Sequence, residues 1–304
     1  MRMKDIECSA WLLRKVLSFS LIALTFTLSR VAGENVTSPS PGTTRSGENF
    51  VDLANGVLCG MDTRQKKIVG GKNSVLGEYP FMVSLKMKHS LKHFCGGAII
   101  SENYILTAAH CVTNYLAPRL TVAVSELDLS GQSHDQSYEI NPNRVIRHKY
   151  YDSRTYENDI ALIRLRKPLT WSKSVQPICL SNNSEHYVPG RRAVVTGWGR
   201  TSETSRYTPS ILQNVEVPVV TNDLCRVQLA EYLPIFSTQL CAGYPGGELD
   251  ACQGDSGGPL VIKEGGRVYL VGIVSVGVGC ARPLLPGVYT KISSYIDWIT
   301  RNMS

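Results

Sequence analysis

The chain has 304 residues, 43% of them hydrophobic, and a formal net charge of +7. The apolar share supplies a sizeable core and excludes a wholly disordered chain. The charge is too mild to argue for a nucleic-acid partner. Gly and Pro recur at short intervals among many Val, Thr and Tyr residues, which favours short strands and turns over long helices.

In chain order, residues 1–33 read as a secretory signal. Arg2, Lys4, Arg14 and Lys15 form a basic start, Val16 to Leu28 is an apolar run of 13 residues, and Val31 and Gly33 give a small-residue cleavage pattern. The mature chain is expected to begin at Glu34, outside the cell. A membrane anchor is the rival reading, but a span needs about 20 apolar residues. Five basic and two acidic residues leave with the segment, so +7 falls to +4.

Residues 34–58 are polar and turn-rich and read as disordered, part of a flexible pro-segment over 34–67. Asn35 and Asn182 begin glycosylation sequons; a third, at Asn302, is set aside because it ends the chain. From Ile68 the texture changes to short strand-like runs: Phe81–Met87, Gly97–Ser101, Tyr104–Thr107, Leu120–Val124, Asp159–Leu165, Ala193–Trp198, Asn214–Val220, Pro259–Ile262, Val268–Val276 and Gly287–Thr290. This is the pattern of an all-β barrel or sandwich. Only the tail, Tyr295 to Arg301, reads clearly as a helix. The run Arg144, Arg147, His148, Lys149 and the pair Arg191–Arg192 are candidates for a polyanion patch, with a solvated face as the preferred reading.

Nine cysteines are present, and Cys8 leaves with the signal. An even remainder of eight in an exported chain points to disulfides, with 105 possible pairings. No pair has metal-finger spacing.

The sharpest motif is D-A-C-Q-G-D-S-G-G-P, from Asp250 to Pro259. A serine hydroxyl needs a base to become a nucleophile, and its transition state needs backbone donors aimed at the oxyanion. Glycines around Ser256 allow the tight turn that supplies them. His110, in L-T-A-A-H-C, is the candidate base, held in a tight corner by small residues and Cys111. Asp159, in N-D-I-A-L-I-R-L, enters an apolar strand, where a buried acid requires a partner. His110 is the natural one. The order is His, Asp, Ser, with gaps of 49 and 97 residues, unlike subtilisins and α/β-hydrolases.

The stretch 68–300 resembles the chymotrypsin–trypsin family of serine proteases. The matches I-V-G-G, T-A-A-H-C, D-I-A-L, G-W-G, G-D-S-G-G-P and P-G-V-Y-T appear in family order. The resemblance implies an all-β fold of two antiparallel six-stranded barrels with a C-terminal helix over 68–304. It implies Ser256 as nucleophile, His110 as general base, Asp159 as its orienter, and the N–H groups of Gly254 and Ser256 as the oxyanion hole. Asp250 would form the base of a pocket for Arg or Lys, with Gly277 and Gly287 along its walls and Ser275 a further substrate-binding residue. Ala251 stands where some relatives carry a serine, so Arg is expected over Lys.

The same resemblance implies a zymogen cut between Lys67 and Ile68, whose new amine pairs with Asp255. It implies disulfides Cys95–Cys111, Cys225–Cys241, Cys252–Cys280 and Cys59–Cys179, the last tethering the pro-segment. Ala193 and Ile262 stand where many relatives carry a further bridge. The expected partners are proteins or peptides with exposed Arg or Lys, an activating trypsin-like protease, and serpin-type inhibitors, with no stable membrane insertion once the signal is removed. Val276 replaces the family's usual Trp, and Tyr156 is a candidate for part of that missing wall. A family calcium loop would fall near Glu126 to Glu139, but Gln136 stands near an expected carboxylate, so no metal is assigned. Pro286 disfavours a sodium site.

Overall fold

The computed structural model describes residues 50–54, 57–62, 72–114, 117–131, 136–247 and 250–303. The signal segment, Asn35, Lys67 and Ile68 lie outside these residues.

The elements, in chain order, are β1 (Phe50–Val51), β2 (Lys72–Asn73), β3 (Met82–Met87), β4 (His93–Ser101), β5 (Tyr104–Thr107), α1 (Ala109–Val112), β6 (Leu120–Val124), β7 (Tyr138–Ile140), β8 (Pro142–Arg147) and β9 (Ala161–Leu165). There follow β10 (Cys179–Ser181), β11 (Arg192–Gly197), β12 (Gln213–Val220), α2 (Asn222–Leu229), β13 (Gln239–Ala242), β14 (Pro259–Glu264), β15 (Arg267–Val276), β16 (Gly287–Lys291) and α3 (Ile296–Met303).

Two sheets carry the fold. In the first, seven antiparallel strands run in the order β7, β6, β3, β4, β5, β9, β8. In the second, β15, β14, β11, β12, β13 and β16 form a ring, because β16 pairs back onto β15. The second barrel is therefore closed by hydrogen bonds, while the first is a rolled sheet whose end strands β7 and β8 have no ladder between them among the described residues.

The cores follow from the sequence. All five residues of β6 are buried, as are the first three of β9, so β-branched and aliphatic side chains fill the barrel rather than alternating with polar ones. Phe81, Leu85, Ile99, Ile105 and Leu162 lie in the first core. Val195, Val217, Leu240, Ile262 and Tyr289 belong to the second. Ala193 and Ile262 are both buried there, an apolar contact region where a cysteine pair would otherwise fit.

Three expectations are corrected. Residues 34–58 do not read as disordered where they are described: β1 pairs antiparallel with β10, the Phe50 ring lies 5.6 Å from Tyr269, and the Arg267 guanidinium sits over it at 5.3 Å. Composition could not reveal this, because the partners lie over 120 residues away. A second well-formed helix, α2, accompanies the tail helix. The Thr221 hydroxyl caps it by accepting the Leu224 N–H at 3.1 Å, and Cys225 and Leu229, one turn apart, are its buried side chains. Finally, the strand expected from Asp159 begins at Ala161, because the Asp159 carbonyl is occupied by the Thr290 hydroxyl at 2.7 Å.

Candidate active site

The site lies where the two sheets meet, and hydrogen bonds between them hold it. The Gly96 N–H donates to Ser256 O at 2.7 Å, the Trp198 indole to Leu127 O at 3.2 Å, and His93 Nε2 to Gly254 O at 3.0 Å. A carbonyl only accepts, so His93 carries its proton on Nε2, and Nδ1 accepts from the Ser84 hydroxyl at 2.8 Å. Burial pushes the His93 imidazole below its ordinary range, which keeps this neutral form.

His110 is the second residue of α1, a single turn entered from extended Ala108. Its Nδ1 lies 2.7 Å from Asp159 Oδ2, and its backbone N–H donates to Oδ1 at 2.9 Å. Asp159 is fully buried. A carboxylate there is tolerable only with its lone pairs answered, and a third donor, the Ser275 hydroxyl, reaches Oδ2 at 2.6 Å. Ser275, expected among the substrate-binding residues, thus turns its side chain to Asp159. The Tyr156 ring stands edge-on to the imidazole with centroids 5.9 Å apart. This leaves Nε2 as the imidazole's free acid–base atom, with Cys111 Sγ 3.6 Å from it.

Four disulfides join Cys59–Cys179, Cys95–Cys111, Cys225–Cys241 and Cys252–Cys280, the pairs implied by the resemblance. The sulfurs of Cys95 and Cys111 lie with His110 within 4.8 Å of one another. Bonded to each other, they offer no thiolate to a metal.

Ser256 follows a sharp loop. Gly254 has φ +107° and Gly257 φ +76°, backbone conformations that side chains with a Cβ resist. A Cβ on Gly257 would also overlap the Thr107 hydroxyl. The loop is anchored from inside: Asp255 accepts the Gly199 N–H at 2.7 Å and the Cys252 N–H at 2.8 Å. Gly197 and Gly199, the glycines of G-W-G, leave room for that carboxylate, since a Cβ on either would overlap it. Burial pushes the Asp255 carboxyl up to about 6.

Asp250 lies on the same cavity as Asp255, which Gly199, Gln213 and Asn214 also line. Ala251 N–H donates to Asp250 Oδ1 at 2.7 Å and Ala281 N–H reaches Oδ2 at 3.5 Å. Burial outweighs these bonds and pushes the carboxyl up to about 7. A Cβ on Gly287 would stand 2.8 Å from Asp250 Oδ1, whereas one on Gly277 would meet nothing closer than 3.5 Å. The buried Tyr289 hydroxyl lies beside Gly287. Asn182 is exposed, just before the turn capped by Asn183.

Near Glu126 to Glu139, where the family's calcium loop would fall, the Lys86 ammonium lies 2.5 Å from Glu126 Oε1 and 3.7 Å from Glu139 Oε1. Sequence reasoning missed Lys86, His93 and the true orientation of Ser275. Each acts on a residue far away along the chain, and only G-W-G carried a readable trace of such packing.

Residues 68–299 match the family model described as Trypsin. The chain is 44% identical over 242 residues to Trypsin-1 of Astacus astacus, covering 77% of this chain and 99% of that one. It is 43% identical over 260 residues to serine proteinase stubble of Drosophila melanogaster, covering 81% of this chain and 32% of that protein. With transmembrane protease serine 5 of Homo sapiens it shares 36% over 242 residues, 79% of this chain and 52% of the other. The chain thus spans about a third of the second relative and about half of the third.

Proposed function

The chain belongs to the trypsin family of serine proteases, and from that membership we propose that it is an active endopeptidase, secreted as a zymogen, that cuts after Arg in preference to Lys. The observation that carries this reading is the fully buried Asp159 aligned on His110 Nδ1 at 2.7 Å, an arrangement that leaves Nε2 to serve a nucleophile.

In this mechanism His110 Nε2 takes the Ser256 hydroxyl proton as Oγ attacks the scissile carbonyl carbon. The carbonyl oxygen becomes an oxyanion and accepts from the Gly254 and Ser256 N–H groups. The tetrahedral species collapses, the peptide C–N bond breaks, and His110 gives its proton to the leaving amine. Water then repeats the sequence on the acyl-enzyme. Losing one oxyanion donor typically costs about 100- to 1,000-fold in rate. Asp250 draws the substrate's guanidinium into the pocket, where an unpaired partner would be costly. Ala251 lacks a hydroxyl to serve a lysine ammonium, which favours Arg.

Activation has support in the neighbourhood of β2. Lys72 lies opposite Asn214 in the β2–β12 ladder, and Asn214 lines the cavity that holds Asp255. Four residues separate Lys72 from the Lys67–Ile68 bond, and four extended residues reach about 14 Å. An Ile68 amine released there pairs with Asp255 and fixes the oxyanion loop. The Cys59–Cys179 bond keeps the pro-segment attached. Lys86 supplies the positive charge at the 126–139 loop, so no calcium is required. Four disulfides fit an oxidising, extracellular setting. Protein substrates, a trypsin-like activator and serpin-type inhibitors are the partners in this reading.

The test is hydrolysis of an Arg-amide substrate by secreted protein before and after cutting at Lys67, with Ser256→Ala as control. Activity that appears only after the cut and vanishes in the variant supports the zymogen and the nucleophile, and a matched Lys-amide turned over as fast as the Arg-amide would remove the preference for Arg. Inactivity after a verified cut would instead favour a non-catalytic binding protein, with Val276 as the departure to examine.

A further inference from the structure

The two basic runs of the sequence meet different fates in the fold. Arg191 pairs with Glu264, while Arg192 lies 3.3 Å from Glu216 and donates to the Tyr244 hydroxyl. Their charge is answered internally. The run beginning at Arg144 is not answered but extended. Strand β8 lies antiparallel to β9 with Arg144 directly opposite Arg164, and both are exposed.

Opposed residues of a ladder share a face with Cβ atoms about 5 Å apart, and like charges there are destabilising. The next residues continue the pattern. Arg166, its N–H bonded to Asn141 O at 3.0 Å, and Lys167 are exposed just beyond β9. Segments 141–149 and 161–167 together hold Arg144, Arg147, Lys149, Arg164, Arg166 and Lys167 and not one Asp or Glu. Among the described residues no carboxylate pairs with any of the six. Arg147 donates to Thr113 O at 3.4 Å, and the Lys149 ammonium lies 4.6 Å over the Tyr150 ring.

We propose that the β8–β9 face is a docking strip for a linear sulfated polysaccharide. Four of its six cations are arginines, whose planar forks match sulfate with two parallel hydrogen bonds. Arg164 stands about 5 Å across from Arg144 and about 7 Å along from Arg166 on one face, while Arg147 and Lys149 carry the charge on around the β8 edge, an extended array that suits a chain of anions better than one small anion. Neither segment contributes an exposed large apolar side chain. An acidic polypeptide would find a single aromatic anchor there, Tyr150 at the edge of the strip beneath Lys149, whereas protein interfaces draw most of their energy from a cluster of buried anchors. The strip adjoins the catalytic centre without entering it: β9 follows Asp159, and Arg147 touches the residue that ends α1, the turn bearing His110. A bound glycan would hold the enzyme in place while leaving the cleft open.

The experiment uses the full secreted protein, heparin as the probe, and affinities measured at several salt concentrations. Arg144→Gln/Arg164→Gln is compared with Arg191→Gln/Arg192→Gln, which removes the same charge from the paired run. Arg-amide hydrolysis serves as the folding control and is expected to be unchanged in both. The expected result is that the first variant loses tenfold or more in heparin affinity and shows a log–log salt slope lower by about 1 to 2, while the second stays within about twofold of the parent. Equal losses in the two variants overturn the proposal, as does no heparin binding by the parent at physiological salt. Polyglutamate binding as tight as heparin overturns it too, in favour of an acidic polypeptide.

Discussion

The Ser275 hydroxyl donates to Asp159 Oδ2 at 2.6 Å, and the same oxygen faces His110 Nδ1 at 2.7 Å. One buried oxygen thus carries two hydrogen bonds, and the serine fixes the rotation of the carboxylate that orients the imidazole. A hydrogen bond to a charged group is worth about 1.5–3 kcal/mol. Ser275→Ala is therefore expected to lower kcat by about tenfold or more with KM little changed, as measured on an Arg-amide. A rise in KM with kcat intact would assign the Ser275 side chain to substrate binding instead.

The pocket base leaves no space at Gly287. A Cβ there would stand 2.8 Å from Asp250 Oδ1, in the path that the proposed pocket gives a guanidinium. Gly287→Ala is expected to cut kcat/KM for Arg substrates by roughly 100-fold, the order of one charge-assisted pairing. Acylation by a small uncharged ester should persist. Loss of both reactions would mean that the substitution disturbs the catalytic loop rather than the pocket.

Asp250 is pushed up to about 7 by burial. A raised carboxyl is neutral below that value, and the neutral form has no charge to offer a cation. Affinity for a small aryl amidine should therefore be flat above about pH 7 and fall towards tenfold per pH unit below it. Calorimetry between pH 5 and 8 provides the check. Constant affinity down to pH 5 would show that the free pocket stays ionised.

Asp255, pushed up to about 6, has the same sign with a different consequence. Its folded value lies above the unfolded one, so its contribution to stability is fully present below about pH 4 and is lost as pH rises through about 6. Two units correspond to about 3 kcal/mol. In the uncut chain, Asp255→Asn should thus melt no lower than the parent at pH 8, yet the cut variant should be inactive. Thermal melts across pH 4–8, with activity after cleavage, test both halves. A variant much less stable at pH 8 would contradict the burial argument.

Lys86 and Glu126 are both almost fully buried, with side-chain exposures of 11% and 6%. Removing one member of such a pair leaves a buried charge unanswered, at about 3–5 kcal/mol. Lys86→Met is expected to lower the melting temperature by roughly 6–20 °C, since 1 kcal/mol moves a domain of this size by about 2–4 °C. A change under 2 °C would show that water reaches Glu126 and that the pair contributes little.

The His110–Asp159 pair was legible because each residue lies in a long local motif. Strands such as Tyr104–Thr107 and Leu120–Val124 were legible to the residue, since continuous burial selects unbroken apolar runs. Strand β8 was hidden by Pro142 and its two arginines, which an edge strand tolerates and a central one does not. Helix α2 was hidden because two of its eight side chains are buried, so its apolar period is faint. Ser275 and Lys86 could not be placed for another reason. Their partners lie 116 and 40 residues away, and nothing local distinguishes a serine that holds a carboxylate from one that lines a wall.

Strand β1 holds only two residues, yet it occupies the outer edge of β10 and is fastened nearby by the Cys59–Cys179 bond. An uncovered edge presents unpaired N–H and C=O groups to any strand that drifts by, the usual seed of self-association. If the chain is cut after Lys67 as proposed, the tether would keep β1 on that edge and act as colloidal protection after the cut. Cys59→Ser/Cys179→Ser protein, once cut after Lys67, should lose solubility before it loses catalysis.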